Sequence, residues 1–414
     1  MKKMLFCLLM VLFSLTIGGC KKRTWQKVEM ETKLTVDGKE LKLNVISQKT
    51  ILEVEKLLKI QEFTAAKTTG NEKIDHHYYS MEIYSDKEIE LIPWAIMDGD
   101  SYRLTNVMQI ALDYQYKHKD KKVVAAINYS FYDIKRQQIC KGQPSGYFRA
   151  DGVNYKPTSL FNGLLFHNGF KDSLVKLNKD DIKTTGYTIA VLDGDKKVSE
   201  TETLINQEGG KVFYRLPRNN SELMEKEFEN FYVLDKNSTT LLYDKDNCYI
   251  DGVITEKVTE KRELKPYEVA LKLDGSDFIN KRVKVKALLS YQNSPITDEV
   301  LSDYQHEILD DGKFVGNWED KHPRTFIGKK KTGEIVFFVC EGRTKAYPGM
   351  KSSDMALVCK MFGLTDCYNF DGGGSSTMIV KDYSKEIDDF KLINSPSDGG
   401  MRGVSNALLV VIKK

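Results

Sequence analysis

Residues 368–380 have the sequence Tyr-Asn-Phe-Asp-Gly-Gly-Gly-Ser-Ser-Thr-Met-Ile-Val, in which a turn of glycines and hydroxyls joins two apolar segments. Glycine permits positive φ and lets a ligand approach the backbone closely. Ser375, Ser376 and Thr377 add hydroxyl and backbone N–H groups, so the turn suits an oxygen-rich anion, with Asp371 at its edge. A plain hairpin turn or a flexible linker would have the same composition, but the apolar flanks disfavour a linker.

The N-terminus has the pattern of an exported lipoprotein. A basic start and an apolar run from Met4 to Ile17 precede Cys20, and the run is too short to span a membrane. Residues 1–19 are therefore predicted to be a signal peptide. The residues before Cys20 resemble the lipobox of bacterial lipoproteins, which implies cleavage before Cys20 and lipid on its sulfur. We expect a bacterial cell-envelope protein, anchored to a membrane and facing the periplasm or the exterior. An uncleaved anchor or an ordinary secretory signal is the alternative.

The net charge of the chain argues against a nucleic-acid partner. The formal charge is +3, and removal of residues 1–19 takes away two lysines and no acidic residue, which leaves +1. Nucleic-acid binding relies on a basic surface that releases counterions. The length of 414 residues suffices for one large domain or two small ones.

The cysteines predict neither a zinc site nor a particular disulfide pattern. Apart from Cys7 and Cys20 there are five, an odd number, so at least one has no partner within the chain. No two of them have the CxxC spacing, and histidines are few and scattered. Calcium would suit clustered carboxylate and carbonyl oxygens, but no local spacing demands it, so no cofactor or metal is predicted.

The chain divides, by pattern, into an N-terminal extension and a larger domain. Residues 20–75 form the extension, with a hairpin around Asp37-Gly38 and a helix predicted over 51–67 from its apolar spacing. The extension is either a spacer from the membrane or an added edge of the main domain. Residues 76–414 form that domain, and its section 186–292 is rich in alternating strands.

Elements of the main domain favour an α/β (α+β) fold class. Apolar spacing predicts helices after Thr105 and over 349–363, a buried strand over 123–127 and a closing strand over 407–412. We therefore expect a mixed, largely antiparallel sheet flanked by helices, with a β-rich middle section.

Polar side chains follow several of the predicted strands. They are Asn128, Asp133, Arg324, Glu341, Arg343, Asn369 and Asp371, while Arg402 and Asn406 precede the closing strand. Arginines beside a hydroxyl-rich turn suit bidentate recognition of phosphate. Carboxylates suit glycosidic cleavage, and a phosphate leaving group needs little protonation if arginines hold its charge. Alternatively, the arginines pair with carboxylates in a structural network, and the asparagines cap backbone at strand ends.

These blocks resemble the phosphodiester glycosidase family, to which the lysosomal enzyme that removes N-acetylglucosamine from a sugar phosphodiester belongs. The matching blocks are His322-Pro323-Arg324-Thr325, Glu341-Gly342-Arg343, Gly349-Met350, residues 369–377 and residues 402–406, and residues 128–133 are similar to an earlier motif of the family. The resemblance covers roughly residues 76–414. Tyr129 and Ser130 replace two usual glycines, Glu341 replaces a usual aspartate, and Gly403 replaces a common proline.

The resemblance implies hydrolysis of a sugar-1-phosphodiester in an envelope or extracellular glycoconjugate. Asp371 is expected to be the carboxylate at the reacting carbon, with Glu341 and Asp133 as candidates for acid or base. Substrate and phosphate would be bound by Asn128, Arg324, Arg343, Asn369, Gly373, Gly374, Ser375, Ser376, Thr377, Arg402 and Asn406. Two alternatives stay open: a lipoprotein that binds a glycan or phosphoglycan without turnover, and an envelope scaffold that uses residues 186–292 for its contacts.

Overall fold

The computed structural model describes residues 24–413, with gaps at 55–56, 85–88, 99–100, 133–141, 143, 146–147, 151–152, 157–163, 168–173, 178–181, 204–208, 215–226, 236–239, 242–247, 266–267, 276, 292–293, 296–299, 304–305 and 385–388. The predicted signal peptide, the lipid site Cys20 and the candidate acid or base Asp133 lie outside the described residues.

Strands dominate the described chain from its start. Up to residue 128 the elements are β1 (Gln26–Val36), β2 (Lys39–Val54), β3 (Leu58–Thr69), β4 (Glu72–Ile83), β5 (Ile89–Trp94), β6 (Met97–Asp98), β7 (Ser101–Tyr102), α1 (Val107–Lys117) and β8 (Lys121–Asn128).

The middle of the chain consists of further strands. They are β9 (Phe148–Ala150), β10 (Val153–Lys156), β11 (Leu164–His167), β12 (Val175–Leu177), β13 (Ile182–Asp193), β14 (Lys196–Thr203), β15 (Val212–Tyr214), β16 (Glu227–Phe228), β17 (Phe231–Leu234), β18 (Thr240–Leu241), β19 (Cys248–Val258), β20 (Arg262–Glu263), β21 (Val269–Leu271), β22 (Arg282–Tyr291), β23 (Ser294–Pro295) and β24 (Val300–Asp303).

The last hundred residues complete the two principal sheets. Their elements are β25 (His306–Asp310), β26 (Lys313–Phe314), β27 (Arg324–Lys330), β28 (Ile335–Cys340), α2 (Ser352–Met361), β29 (Leu364–Asn369), a short 3₁₀ turn (Gly373–Ser375), β30 (Met378–Lys381), β31 (Phe390–Leu392) and β32 (Ala407–Lys413).

Two antiparallel sheets pack face to face. The first has the strand order β1-β2-β3-β4-β28-β27-β29-β25-β26, and the second has the order β31-β30-β8-β32-β5. Met81, Phe337 and Tyr368 of the first sheet share one buried apolar core with Ala125 and Leu408 of the second. Burial of this apolar surface between the sheets is the main favourable contribution to their association.

The predicted fold class is wrong, because the described chain is mostly β and contains only two α-helices. Helix α2 covers part of the outer face of the first sheet, where Met355 and Val358 pack with Leu43. Helix α1 does the same for the second sheet through Val107 and Ile110. The principal layers are therefore two antiparallel sheets, instead of one mixed sheet between several helices. Residues 186–292 lie largely in a third sheet, of order β14-β13-β22-β19-β17-β21-β15.

The helix predicted over residues 51–67 is also wrong, and a physical reason is visible. This segment forms the end of β2 and most of β3, and the pairing of the two strands is irregular between Val45 and Ser47 and between Thr50 and Leu52. A bulge interrupts the two-residue alternation of a strand, so apolar residues fall at spacings that resemble a helix. The hairpin around Asp37-Gly38 is confirmed, since Val36 pairs with Lys39.

The N-terminal strands continue the first sheet. The second half of β4 pairs with the whole of β28, from Ile83 opposite Ile335 to Tyr78 opposite Cys340. The boundary expected at residue 76 therefore falls inside a strand that is hydrogen-bonded to both β3 and β28. The polar ends of the later strands consequently lie beside residues of the N-terminal strands.

Sheet topology brings the predicted polar positions to one edge. β28 and β29 both pair antiparallel with β27, so they run in the same direction and end at the edge where β27 begins. Glu341 is the first residue after β28, and Asp371 is the second residue after β29. Two strand spacings separate their backbones, or about 10 Å. In the second sheet Met378 pairs with Ile127, which places Thr377 beside Asn128.

A buried ion pair ties the N-terminal strands to α2. The Lys67 ammonium on β3 lies 2.6 Å from a carboxylate oxygen of Asp354 on α2, with the two side chains 4% and 0% exposed. His76 on β4 lies 3.7 Å from the other carboxylate oxygen. Burial lowers the pKa of His76, so this imidazole favours its neutral form and leaves Lys67 as the cation nearest the carboxylate.

Lys67→Ala is expected to lower the free energy of unfolding by about 3–5 kcal/mol, because it leaves a buried carboxylate without its cation. Urea unfolding followed by circular dichroism measures the change. Lys73→Ala is the matched control, since Lys73 pairs with Asp75 on the surface of the same hairpin. It should leave stability nearly unchanged. Equal stability of the two variants would contradict a structural role for the pair.

Candidate functional site

One buried amide organises the centre of the site. Asn128 ends β8 and is fully buried. Its side-chain nitrogen donates to the backbone carbonyl of Asp371 at 2.6 Å. Its side-chain oxygen accepts from the Thr325 hydroxyl at 2.7 Å and from the backbone N–H of Thr377 at 3.0 Å. Asn128 thereby joins both sheets to the glycine turn, so its hydrogen bonds hold these three parts of the site together.

A second amide supports the loop after β8. The side-chain oxygen of Asn406 accepts from the backbone N–H of Ser130 at 2.9 Å, and its nitrogen donates to the Ser130 hydroxyl at 3.1 Å. The ring of Tyr129 stacks on Phe370, with 4.4 Å between ring centroids. The backbone carbonyl of Tyr129 accepts from the N–H of Asp371 at 2.9 Å. Of the two residues that replace glycines, Tyr129 therefore takes part in holding Asp371, and Ser130 is held by Asn406.

Asp371 combines a largely buried carboxylate with a raised pKa. Burial raises the pKa of Asp371 to about 7, against the opposing effects of a hydrogen bond from Ser375, the charge of Arg402 and the N–H of Gly372. One carboxylate oxygen is buried without a hydrogen-bond partner among the described residues. A carboxyl group with this pKa can exchange a proton near neutral pH.

Glu341 lies in a different environment, which favours its ionised form. Its carboxylate accepts from the Tyr79 hydroxyl at 3.2 Å and from the backbone N–H of Ser395 at 2.8 Å, and it lies 2.8 Å from the Nδ1 of His77. Burial alone would raise the pKa of Glu341, but the hydrogen bonds from His77 and Ser395 outweigh it and the pKa lies below its usual value.

His77 connects Glu341 to the N-terminal strands. The imidazole of His77, on β4, lies between Glu341 and Glu62 of β3, with its Nε2 3.0 Å from a Glu62 oxygen. Burial lowers the pKa of His77, but the two carboxylates outweigh this effect and the net shift is upward. Tyr347 lies against the ring, at 5.2 Å between centroids. His77 therefore favours the imidazolium form beside two carboxylates.

Two arginines and one aspartate lie against the glycine turn. The Nε of Arg402 donates to a carboxylate oxygen of Asp398 at 2.8 Å, and a guanidinium nitrogen of Arg343 lies 3.7 Å from the other oxygen. Gly373 has φ of +63°, and a Cβ there would lie 2.8 Å from the Arg343 guanidinium. A Cβ on Gly374 would lie 2.2 Å from the Asp398 carboxylate. Both glycines are therefore required by the close approach of these charged groups.

Arg343 itself has an unusual backbone, with φ of +63°. A non-glycine residue in the left-handed region is uncommon and costs conformational energy. This backbone follows Glu341 and Gly342, and the side chain lies over Gly373. The residue with the strained backbone, Arg343, is therefore also the residue whose guanidinium lies over the glycine turn.

Arg324 does not join this pair. Its Nε donates to the carbonyl of Met350 at 2.9 Å, and a terminal nitrogen donates to the carbonyl of Asp320. Burial lowers the pKa of Arg324 from its usual value, and the guanidinium is occupied by backbone oxygens. Arg324 therefore stabilises the loop before β27, whereas Arg343 and Arg402 face the turn.

Several buried polar groups beside the turn have no hydrogen-bond partner within the described part of the chain. They are both side-chain atoms of Asn369 and the hydroxyls of Ser376, Thr377 and Ser405. Buried polar atoms are normally paired, so unpaired ones require a reason. The hydroxyl of Ser375 has a neighbour, the Tyr132 hydroxyl at 3.4 Å, and Tyr132 in turn donates to the carbonyl of Gly403 at 2.8 Å.

The structure thus brings most of the sequence-predicted residues to one sheet edge, and it adds others. Asn128 binds the backbone of Asp371 and of Thr377 in the turn, and the charge of Arg402 acts on Asp371. Ser395 links Glu341 to the loop of Arg402. Sequence reasoning missed Glu62, His77, Tyr79, Tyr132 and Asp398. Asp398 lies four residues before Arg402, and His77 and Tyr79 alternate on one strand, but neither signal was specific. The roles assigned to individual residues stay predictions.

Comparison with known proteins identifies the family. Residues 229–411 match the model of the phosphodiester glycosidase family. This part of the chain is a phosphodiester glycosidase domain. The resemblance noted in the sequence is confirmed over these residues, which include Glu341, Asp371 and all three arginines.

Similarity of this chain to individual proteins is limited in identity or in length. A prophage-derived uncharacterized protein of Bacillus subtilis, YomE, is 33% identical over 96 residues, which are 22% of this chain and 14% of that protein. The crystal structure of a hypothetical protein from Synechocystis has a TM-score of 0.48 at 12% identity, covering 94% of this chain and 82% of the other. The catalytic domain of zebrafish N-acetylglucosamine-1-phosphodiester alpha-N-acetylglucosaminidase, auto-inhibited by its pro-peptide, has a TM-score of 0.41 at 13% identity, covering 88% and 87%.

Two features are absent from the described residues. They contain no group of three or more His, Cys, Asp or Glu side chains that could hold a metal ion. Neither helix within the described ranges is long and apolar enough to cross a membrane. Cys340, Cys359 and Cys367 are buried and unpaired by disulfides.

The raised pKa of His77 predicts a pH-dependent contribution to stability. The folded state favours the imidazolium, so the stabilisation is complete below the ordinary pKa of 6.5 and is lost as pH rises through the raised value. His77→Gln should therefore flatten the decline of unfolding free energy above pH 6.5. Urea unfolding at a series of pH values measures the slope, and identical slopes for the two proteins would contradict the assignment.

Proposed function

We propose that the protein hydrolyses a sugar-1-phosphodiester, releasing the sugar and leaving a phosphomonoester. The observation that carries the proposal is a pair of carboxyl groups with opposite pKa shifts, Glu341 and Asp371, at one sheet edge within the phosphodiester glycosidase domain. Carboxyl pairs whose environments separate their pKa values are a common basis for acid–base work in glycosidases.

Asp371 serves as the base at the reacting carbon. A general base works best with a pKa near the operating pH, and burial raises the pKa of Asp371 to about 7. It takes a proton from the attacking water while the water oxygen bonds to the anomeric carbon. The carbon–oxygen bond to phosphate breaks, and its electron pair stays on the phosphate oxygen. Asp133, the other expected candidate, lies outside the described residues.

Glu341 stays ionised and stabilises positive charge on the sugar. Glycosidic cleavage passes through an oxocarbenium-like transition state, which a nearby carboxylate stabilises. Its hydrogen bonds with His77, Tyr79 and Ser395 hold the carboxylate in one orientation. His77 is then a positioning residue, since it acts through Glu341.

Arg343 and Arg402 bind the phosphate of the substrate beside the hydroxyl-rich turn. Guanidinium groups match phosphate geometry, and the negative charge of the leaving group increases as the bond breaks. Arg324 was expected to share this task, but its guanidinium donates to the carbonyls of Met350 and Asp320. Its role is therefore to support the surrounding backbone. The polar atoms of Asn369, Ser376 and Thr377 support recognition of the sugar or phosphate oxygens.

The substrate and the location are further parts of the proposal. We infer an N-acetylglucosamine or related glycoconjugate substrate in the bacterial cell envelope, with the chain anchored to a membrane through lipid on Cys20. The test is incubation of the full chain in detergent with an α-N-acetylglucosamine-1-phosphodiester. Free sugar and phosphomonoester are expected, whereas saturable binding of intact ligand would point to a non-catalytic binding protein.

The pH dependence of turnover tests the role of Asp371. Because a base must be ionised, kcat/KM is expected to rise with pH up to about 7 and then level off. Asp371→Asn should lower kcat/KM by about 10²–10⁴-fold and remove this rise. Asp366→Asn, at the opposite end of β29, is the matched control and should change neither. Unchanged turnover in Asp371→Asn would overturn the assignment.

A further inference from the structure

The Asp398 carboxylate lies between the two arginines of the site, Arg343 and Arg402. It lies against Gly374, where a Cβ would come within 2.2 Å of the carboxylate oxygen at its present position. The side chains of Arg343, Asp398 and Arg402 are 44%, 31% and 35% exposed. All three charged groups are therefore accessible to a ligand that enters the turn.

A carboxylate in this position is unexpected in a site that only has to attract phosphate. It neutralises part of the positive charge of the arginines and repels any anion beside them. Arg343 and Arg402 contribute two positive charges and Asp398 one negative charge, so the three groups together carry +1. A phosphate diester carries one negative charge, whereas a phosphate monoester above its second pKa of about 6 carries close to two.

We propose that Asp398 is a specificity-determining residue that lowers the affinity of the site for a phosphate monoester more than its affinity for a phosphate diester. This inference rests on the proposed function, in which the substrate is a diester and the product is a monoester. The product carries one more negative charge than the phosphate of the substrate, so Asp398 repels it more strongly. The carboxylate therefore offsets part of the stronger attraction that the two arginines exert on the product, and it promotes release of the product.

The test compares two small anions that contain no glycosidic bond. Binding of dimethyl phosphate and of methyl phosphate to the full chain in detergent is followed by phosphorus NMR at about pH 8, where methyl phosphate is a dianion. Coulomb energy is linear in ligand charge, so loss of the carboxylate should affect the dianion twice as much on a logarithmic scale. In Asp398→Asn we expect affinity to rise about threefold for dimethyl phosphate and about tenfold for methyl phosphate.

A control and the opposing outcomes make the test decisive. Asp251→Asn removes a carboxylate that pairs with Arg282 in the third sheet, and it should leave both affinities unchanged. Equal gains for the two anions, weaker binding of both, or binding of neither anion to any of the proteins would overturn the proposal. Weaker binding of both would mean that Asp398 only holds the arginines in place.

The measurement is independent of catalysis. If Asp398→Asn strengthens binding of methyl phosphate more than binding of dimethyl phosphate, but no sugar phosphodiester is cleaved, the proposed function fails while the charge selection stands. If sugar is released but the Asn variant keeps the preference of the wild type, the inference about Asp398 fails alone.

Discussion

The site depends on the hydrogen bonds of one buried amide, Asn128. It is the last residue of a strand in the second sheet, and its partners are Thr325 of the first sheet and the backbone of Asp371 and Thr377. An unpaired buried amide is costly, so these three contacts favour a single arrangement of the two sheet edges. The glycine turn can keep its shape because both of its ends are held by the same side chain. Apolar burial brings the sheets together, and the amide specifies how their edges align.

The electrostatic surroundings then separate the pKa values of two chemically similar carboxyl groups. Asp371 is buried with little compensation, and Glu341 is buried among hydrogen-bond donors, so the pKa of the first rises and that of the second falls. The donors to Glu341 come from distant parts of the chain: β4 supplies His77 and Tyr79, and the loop before Arg402 supplies Ser395. The N-terminal strands thus contribute directly to the surroundings of Glu341, a residue of the domain that the family match places after residue 228.

The predictions from sequence succeeded and failed for identifiable reasons. Short motifs with fixed internal order, such as residues 369–377 and 341–343, identified the family and most of the polar residues at the sheet edge, because each motif is a strand end followed by a turn. The helix over 51–67 was wrong, because bulges in long strands produce apolar spacings that resemble helices. The α/β fold class was wrong because the two helices that the pattern did identify only cover the outer faces of two packed antiparallel sheets. His77 and Glu62 were missed because a pairing across strands leaves no local pattern.

The sequence by itself determined the local chemistry: a glycine and hydroxyl turn, carboxylates and arginines at strand ends, and the family of residues 229–411. Only the tertiary structure decided which of these groups work together. Arg324 turns to backbone carbonyls while Arg402 faces the turn, and Asp398 lies between Arg343 and Arg402. The physical reason is that burial, strand register and charge pairing depend on distances between residues far apart in the chain, and residue order alone does not contain those distances.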